Sequence, residues 1–140
     1  MKKVKQTDFD GKIKQYGCLF MSLLDVAAEV SESRVRNKDV EVLYNVLTSD
    51  GCMNENCFIN NHTIALEYML SYFNSFIQLN YVGAQYIGKP DDSWGRNYGD
   101  FIILQVKTPS YSHFRRIDYD PWEPSLPFNS VLSVRYYSIK

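Results

Sequence analysis

The order of apolar and polar positions changes character near residue 75. Before it, apolar residues recur at spacings of three and four, the repeat of a helix. After it they run together or alternate, the repeat of a strand. In the segment from Cys18 to Val30, the polar positions Ser22, Asp25 and Glu29 share one helical face. Leu19, Phe20, Leu23, Leu24, Val26, Ala27 and Val30 cover the remainder. A helix apolar around most of its circumference is packed on several sides, so this one is predicted to be central. Ser31–Arg36 reads as a charged connection. Asn37 offers a cap for a second helix over Lys38–Thr48, with Val40, Leu43, Tyr44 and Leu47 on one stripe, and Asp50-Gly51 ends it. Cys52–Ile59 reads as a loop. Asn60 or Asn61 caps a third helix through Ile64, Leu66, Met69, Leu70 and Phe73. Residues 1–16 read as an irregular lead-in.

The second half predicts strands. Phe76–Val82 and Ala84–Ile87 flank Gly83, and Lys89–Gly99 is a polar loop containing Trp94. The run Phe101-Ile102-Ile103-Leu104-Gln105-Val106 has the near-continuous apolar character of a strand covered on both faces. Ser112–Tyr119 and Ser130–Ile139 follow, separated by the prolines of Pro121–Pro127, which bar regular structure there. Helices first and strands second predict an α+β domain rather than a βαβ alternation. The helical half spans about 17–75 and the sheet half about 76–139 of a single domain 1–140. Leu19, Leu23, Val26, Leu43, Leu66, Leu70 and Ile103 are the expected core.

Composition narrows the function classes. With 140 residues, 45% hydrophobic and 22% charged, the chain can bury a core unaided, so wholesale disorder is excluded. A net charge of -1 argues against a protein working by phosphate neutralisation, and no nucleic-acid partner is expected. No apolar run is long enough to span a membrane, and none follows Met1-Lys2-Lys3 as a secretory signal would require. The three cysteines, Cys18, Cys52 and Cys57, form an odd set. Free thiols in a reducing cytoplasm are therefore expected. Neither a P-loop nor GxGxxG occurs, and no cofactor is expected. Cys52-x4-Cys57-x4-His62 contains ligand types that suit zinc, but the spacing is loose and no fourth Cys or His lies nearby, so no metal site is assigned. Of Arg115 and Arg116, adjacent on a strand, one is expected in solvent and one packed.

Cys18 opens the central helix, where backbone N–H groups and the helix dipole favour a thiolate. Gly17 before it leaves room for a closely approaching substrate. A cysteine nucleophile needs a base. His113 begins a predicted strand and Asp120 follows it, the chain order of a papain-like triad. The segment Gln15-Tyr16-Gly17-Cys18-Leu19-Phe20-Met21-Ser22 resembles the nucleophile segment of papain-like bacterial cysteine peptidases, especially those that process double-glycine bacteriocin leaders. Ser112-His113-Phe114 and Asp120-Pro121-Trp122 resemble their histidine strand and "DPW" turn. Over most of its length the chain also resembles a phage- and plasmid-encoded family of unknown function with "QYGC" and "DPW" motifs.

That resemblance implies a papain-like fold in which a helix packs on a mostly antiparallel sheet of four to six strands. It implies Cys18 as nucleophile, His113 as general base, a carboxylate from Asp120 or Asp118 to orient it, and Gln15 as oxyanion donor. Gly17, Trp94 and Trp122 are the candidate substrate-contacting positions, although Trp122 also suits a core plug. The sequence departs from the peptidase pattern twice. A complete hairpin usually separates His from Asp, whereas here His113 and Asp120 are seven positions apart. In one extended strand that separation is ~23 Å, with the two side chains on opposite faces, so a tight turn is required. The family's Gln lies about six positions before Cys, where this chain has Lys12; Gln15 is three before. The expected function is hydrolysis of peptide or amide bonds through a thioester. The alternative is a non-enzymatic interaction module on the same fold. A peptide or protein ligand fits both, and neither fixes the oligomeric state.

Overall fold

The computed structural model describes residues 3–86, 99–107, 112–122 and 130–140. A 3-10 turn at Gln6–Asp8 leads into α1 (Gly11–Tyr16), α2 (Cys18–Val30), α3 (Asn37–Asp50) and α4 (His62–Tyr72). The strands are β1 (Leu79–Tyr86), β2 (Phe101–Lys107), β3 (Ser112–Arg115) and β4 (Ser130–Ile139). They form one antiparallel sheet in the order β1-β4-β2-β3. The architecture is α+β, with helices preceding strands as the patterning predicts.

Local chemistry sets the boundaries. Asn61, not Asn60, caps α4: its Oδ1 accepts the Ile64 N–H at 3.0 Å. The third helix position of α3, Asp39, reaches back to the Arg36 N–H at 2.8 Å, so Arg36 rather than Asn37 is the capping position. The two short strands expected around Gly83 are one strand. Its register shifts between Tyr81 and Gly83, and Gly83 adopts φ +152, so a bulge absorbs the break that the glycine signalled. β3 stops at Arg115, four residues short of the expected Tyr119.

The sheet divides the buried apolar residues into two groups. On the helical side, Phe20, Leu23, Leu43, Leu66, Leu70, Leu79, Ile103 and Tyr137 pack together. On the other side, Ile102, Leu104, Val106, Val131, Val134 and Tyr136 form a second cluster. β2 contributes to both, which is why its sequence is an almost unbroken apolar run. Leu19, expected in the core, is only half-buried at its margin. The polar stripe of α2 is only partly a solvent face: Ser22 is buried, Asp25 half-buried and Glu29 exposed. Arg116 Nη1 lies 2.8 Å from Asp25 Oδ2 and 2.9 Å from Glu29 Oε1, pinning the end of β3 to the helix. Arg115 and Arg116 are both buried, at 5% and 8% exposure, so the expected solvated arginine is absent.

Candidate functional site around Cys18, His113 and Asp120

Gly17 joins α1 to α2 almost without a loop. Its N–H donates to the Ile13 carbonyl at 2.9 Å, and its own carbonyl accepts from Met21 at 2.8 Å. A Cβ here would stand 2.4 Å from the Ile13 oxygen, so no larger residue fits this junction undistorted. The junction places Cys18 against β3, where its Sγ accepts the Phe114 N–H at 3.4 Å. The N–H groups of Leu19 and of Cys18 itself also favour a thiolate. Burial outweighs them and pushes the thiol above its ordinary value, with the negative charge of Asp120 adding to the rise. The helix start alone would have lowered it.

The tight turn that the His–Asp spacing requires is present. Arg116 N–H donates to the Tyr119 carbonyl at 2.8 Å. The Arg115 side chain braces the turn, donating from Nε to the Arg116 carbonyl at 2.9 Å and from Nη2 to the Ile117 carbonyl at 3.0 Å. The chain doubles back, and His113 Nε2 lies 2.9 Å from Asp120 Oδ2. Asp120 is fully buried; its Oδ1 accepts the Trp122 N–H at 2.9 Å, and Arg115 Nη1 stands 3.6 Å from Oδ2. Asp118 is exposed in the turn.

A segment read from the sequence as an irregular lead-in holds this turn in place. Gln6 donates its backbone N–H to the Pro121 carbonyl, and Tyr119 Oη donates to the Val4 carbonyl. The Gln6 side chain is buried and donates from Nε2 to the last carbonyls of α1, Ile13 at 3.1 Å and Lys14 at 2.8 Å. Residues 4–6 therefore tie the helix that precedes Cys18 to the turn that holds Asp120. A lone glutamine in a polar stretch gives little sign of this, because its partners are backbone atoms distant in sequence.

The remaining candidates are placed as follows. Gln15 is exposed on the last turn of α1. Trp122 is half-buried, and what it gives the site is its backbone N–H. Trp94 lies outside the described residues. Cys52 and Cys57 are buried in the helical core, their thiols pushed up to about 11 and about 12, chiefly by burial. His62 Nδ1 lies 3.0 Å from Tyr137 Oη. Among the described residues no group of three or more side chains is arranged to hold a metal ion. Nor is any helix among them long and apolar enough to cross a membrane.

No curated protein and no solved structure matches the chain. A family model does match it over residues 1–118, which include Cys18 and His113, and the chain belongs to that family, DUF261, a protein family of unknown function.

Proposed function

We propose that the chain is a papain-like cysteine hydrolase of peptide or amide bonds. The observation that carries this reading is the junction of two contacts. His113 Nε2 lies 2.9 Å from Asp120 Oδ2, within ion-pair reach, and the N–H of the next residue, Phe114, meets Cys18 Sγ at 3.4 Å. In the proposed reaction His113 takes the thiol proton as Cys18 Sγ attacks the substrate carbonyl. Asp120 engages Nε2, so the transfer uses Nδ1. The tetrahedral adduct expels the amine, which leaves with the proton from His113, and a thioester remains. Water, deprotonated by the same imidazole, then releases the acid and restores the thiol. Gln15, three positions before Cys18 and exposed at the end of α1, is the side-chain amide assigned to the oxyanion in this reading. Burial raises the Cys18 thiol above its ordinary value, so the proposed step starts from the neutral thiol, and its proton passes to His113 as the Sγ–carbon bond forms.

Labelling with iodoacetamide, resolved by mass spectrometry, tests the reading. Cys18 should label ahead of Cys52 and Cys57 in the native protein, His113→Ala should slow it about tenfold or more, and His62→Ala should leave it unchanged. Labelling of Cys18 last, and indifferent to His113→Ala, would overturn the hydrolase. A second reading, an interaction module on the same fold, is favoured by one feature. A pocket of about 330 Å³ lined by Val4, Met21, Leu24, Asp25, Arg34 and Tyr119 lies between the N-terminal segment and α2, and it does not include Cys18.

A further inference from the structure

The register of the sheet sets four side chains in a row across all four strands. Tyr86 of β1 faces Ser133 of β4, Ser133 faces Gln105 of β2, and Gln105 faces Phe114 of β3. Directly paired residues share a face of the sheet. Beside this row runs a second, Ala84–Arg135–Ile103. Ile103 and Phe114 pack with the helical core, so both rows lie on the face that the helices approach. The helices do not cover the rows throughout, since Ala84 is exposed and Tyr86 is 76% exposed. The first row therefore runs from the open Tyr86 end, over the buried Ser133 and the half-buried Gln105, to Phe114, whose N–H meets Cys18 Sγ.

Arg135 dominates this surface. Its guanidinium stands 4.5 Å from the Phe114 ring centroid, and its Nη1 donates to Ser133 Oγ at 2.8 Å. The Ser133 hydroxyl in turn donates to Gln105 Oε1 at 2.8 Å. These contacts orient the guanidinium but do not neutralise it. Arg115 meets Asp120, Arg116 meets Asp25 and Glu29, and Arg36 meets Asp39. Arg135 is half-buried, and among the described residues no carboxylate stands within ion-pair reach of it. A guanidinium fixed on an aromatic ring, partly removed from water and with no carboxylate in reach among the described residues, is preorganised for a carboxylate, which it binds through two parallel hydrogen bonds.

We propose that Arg135, with Ser133 and Gln105 beside it, is a carboxylate-binding subsite of the Cys18 centre. The substrates it selects are peptides with a carboxylate close to the scissile bond, supplied by an acidic side chain or by a free C-terminus. This inference rests on the hydrolase reading above and names its substrate class.

The test is a titration of the 15N-labelled full chain with three five-residue peptides, followed by NMR. One is alanine with a central glutamate and an amidated C-terminus, one has glutamine in place of the glutamate, and one is all alanine with a free C-terminus. The Arg135 Nε–H and the Ser133 amide should shift with a carboxylate peptide, at an affinity about tenfold or more above that of the glutamine peptide. Which carboxylate peptide binds identifies the source. Arg135→Gln should abolish the preference and Arg135→Lys should retain part of it. Equal binding of acidic and neutral peptides, binding of neither, or a preference that survives Arg135→Gln would overturn the subsite. Iodoacetamide labelling of the same samples separates the two ideas. Carboxylate binding at Arg135 with an inert Cys18 defeats the hydrolase alone. A Cys18 under His113 control without carboxylate preference defeats the subsite alone.

Discussion

His62 stacks on Tyr81 with ring centroids 4.3 Å apart, and its Nδ1 meets the hydroxyl of Tyr137, a fully buried residue. Burial, with a smaller contribution from the Arg135 charge, lowers the His62 pKa from 6.5 to about 4. The unfolded chain therefore takes up this proton before the folded one does. The stabilisation is complete above pH 6.5 and is lost as pH falls towards 4, by up to about 3 kcal/mol. Urea midpoints between pH 7 and pH 4.5 should fall accordingly. His62→Gln, which keeps an acceptor for the Tyr137 hydroxyl, should flatten that slope. An unchanged slope would mean that the imidazole titrates normally.

At the scale of elements, α2 carries most of the positional information. Its apolar faces fix it in the core, its polar stripe fixes the end of β3, and its first residue is Cys18. Leu23 is fully buried on it, so Leu23→Ala should cost ~2–5 kcal/mol in denaturant unfolding if the cavity does not collapse. A loss under about 0.5 kcal/mol would contradict a central role for the helix. Gly17→Ala tests the junction. The added Cβ must displace the Ile13 carbonyl, at a cost of about 1–3 kcal/mol for an overpacked site. Because the strain falls between α1 and α2, the variant should also change the rate of Cys18 labelling while leaving Cys52 and Cys57 as slow as before. A stable Gly17→Ala protein with wild-type labelling would show that the junction yields freely.

For the whole molecule, the N-terminal segment is a clasp. It closes α1 against the Tyr119–Pro121 turn and so joins the two ends of the site, which lie about a hundred positions apart in sequence. Gln6→Ala removes the side-chain amide that donates to the Ile13 and Lys14 carbonyls, an expected loss of ~1–3 kcal/mol for two hydrogen bonds. Its more telling consequence lies at the far end of the clasp. The Trp122 amide, bonded to Asp120 Oδ1, should exchange with solvent faster in the variant, while amides of α3 should keep their protection. Uniform loss of protection would mean that the clasp is simply part of the global core.

The four-helix count apart, much of the architecture was legible in the sequence, because hydrophobic period is a local signal. The spans of α2 and α4, the apolar run of β2 and the helix-then-strand order follow from it. So did Cys18 at a helix start. Other features depended on residues far apart in the chain. The lead-in is a short turn and a helix because Gln6 reaches the carbonyls at its end. The polar stripe of α2 is partly interior, with Ser22 buried and Asp25 half-buried, and Arg116 arrives to pair with Asp25 and with the exposed Glu29. The Cys18 thiol value rises because packing against β3 removes water, and this outweighs the helix N–H groups that sequence alone can place. His113 and Asp120 face each other because Arg115 folds its own turn closed. Sequence determined which elements form and which residues could react. Tertiary structure decided which of those residues meet and that the Cys18 thiol is raised rather than lowered, since burial and ion pairing are properties of neighbours in space.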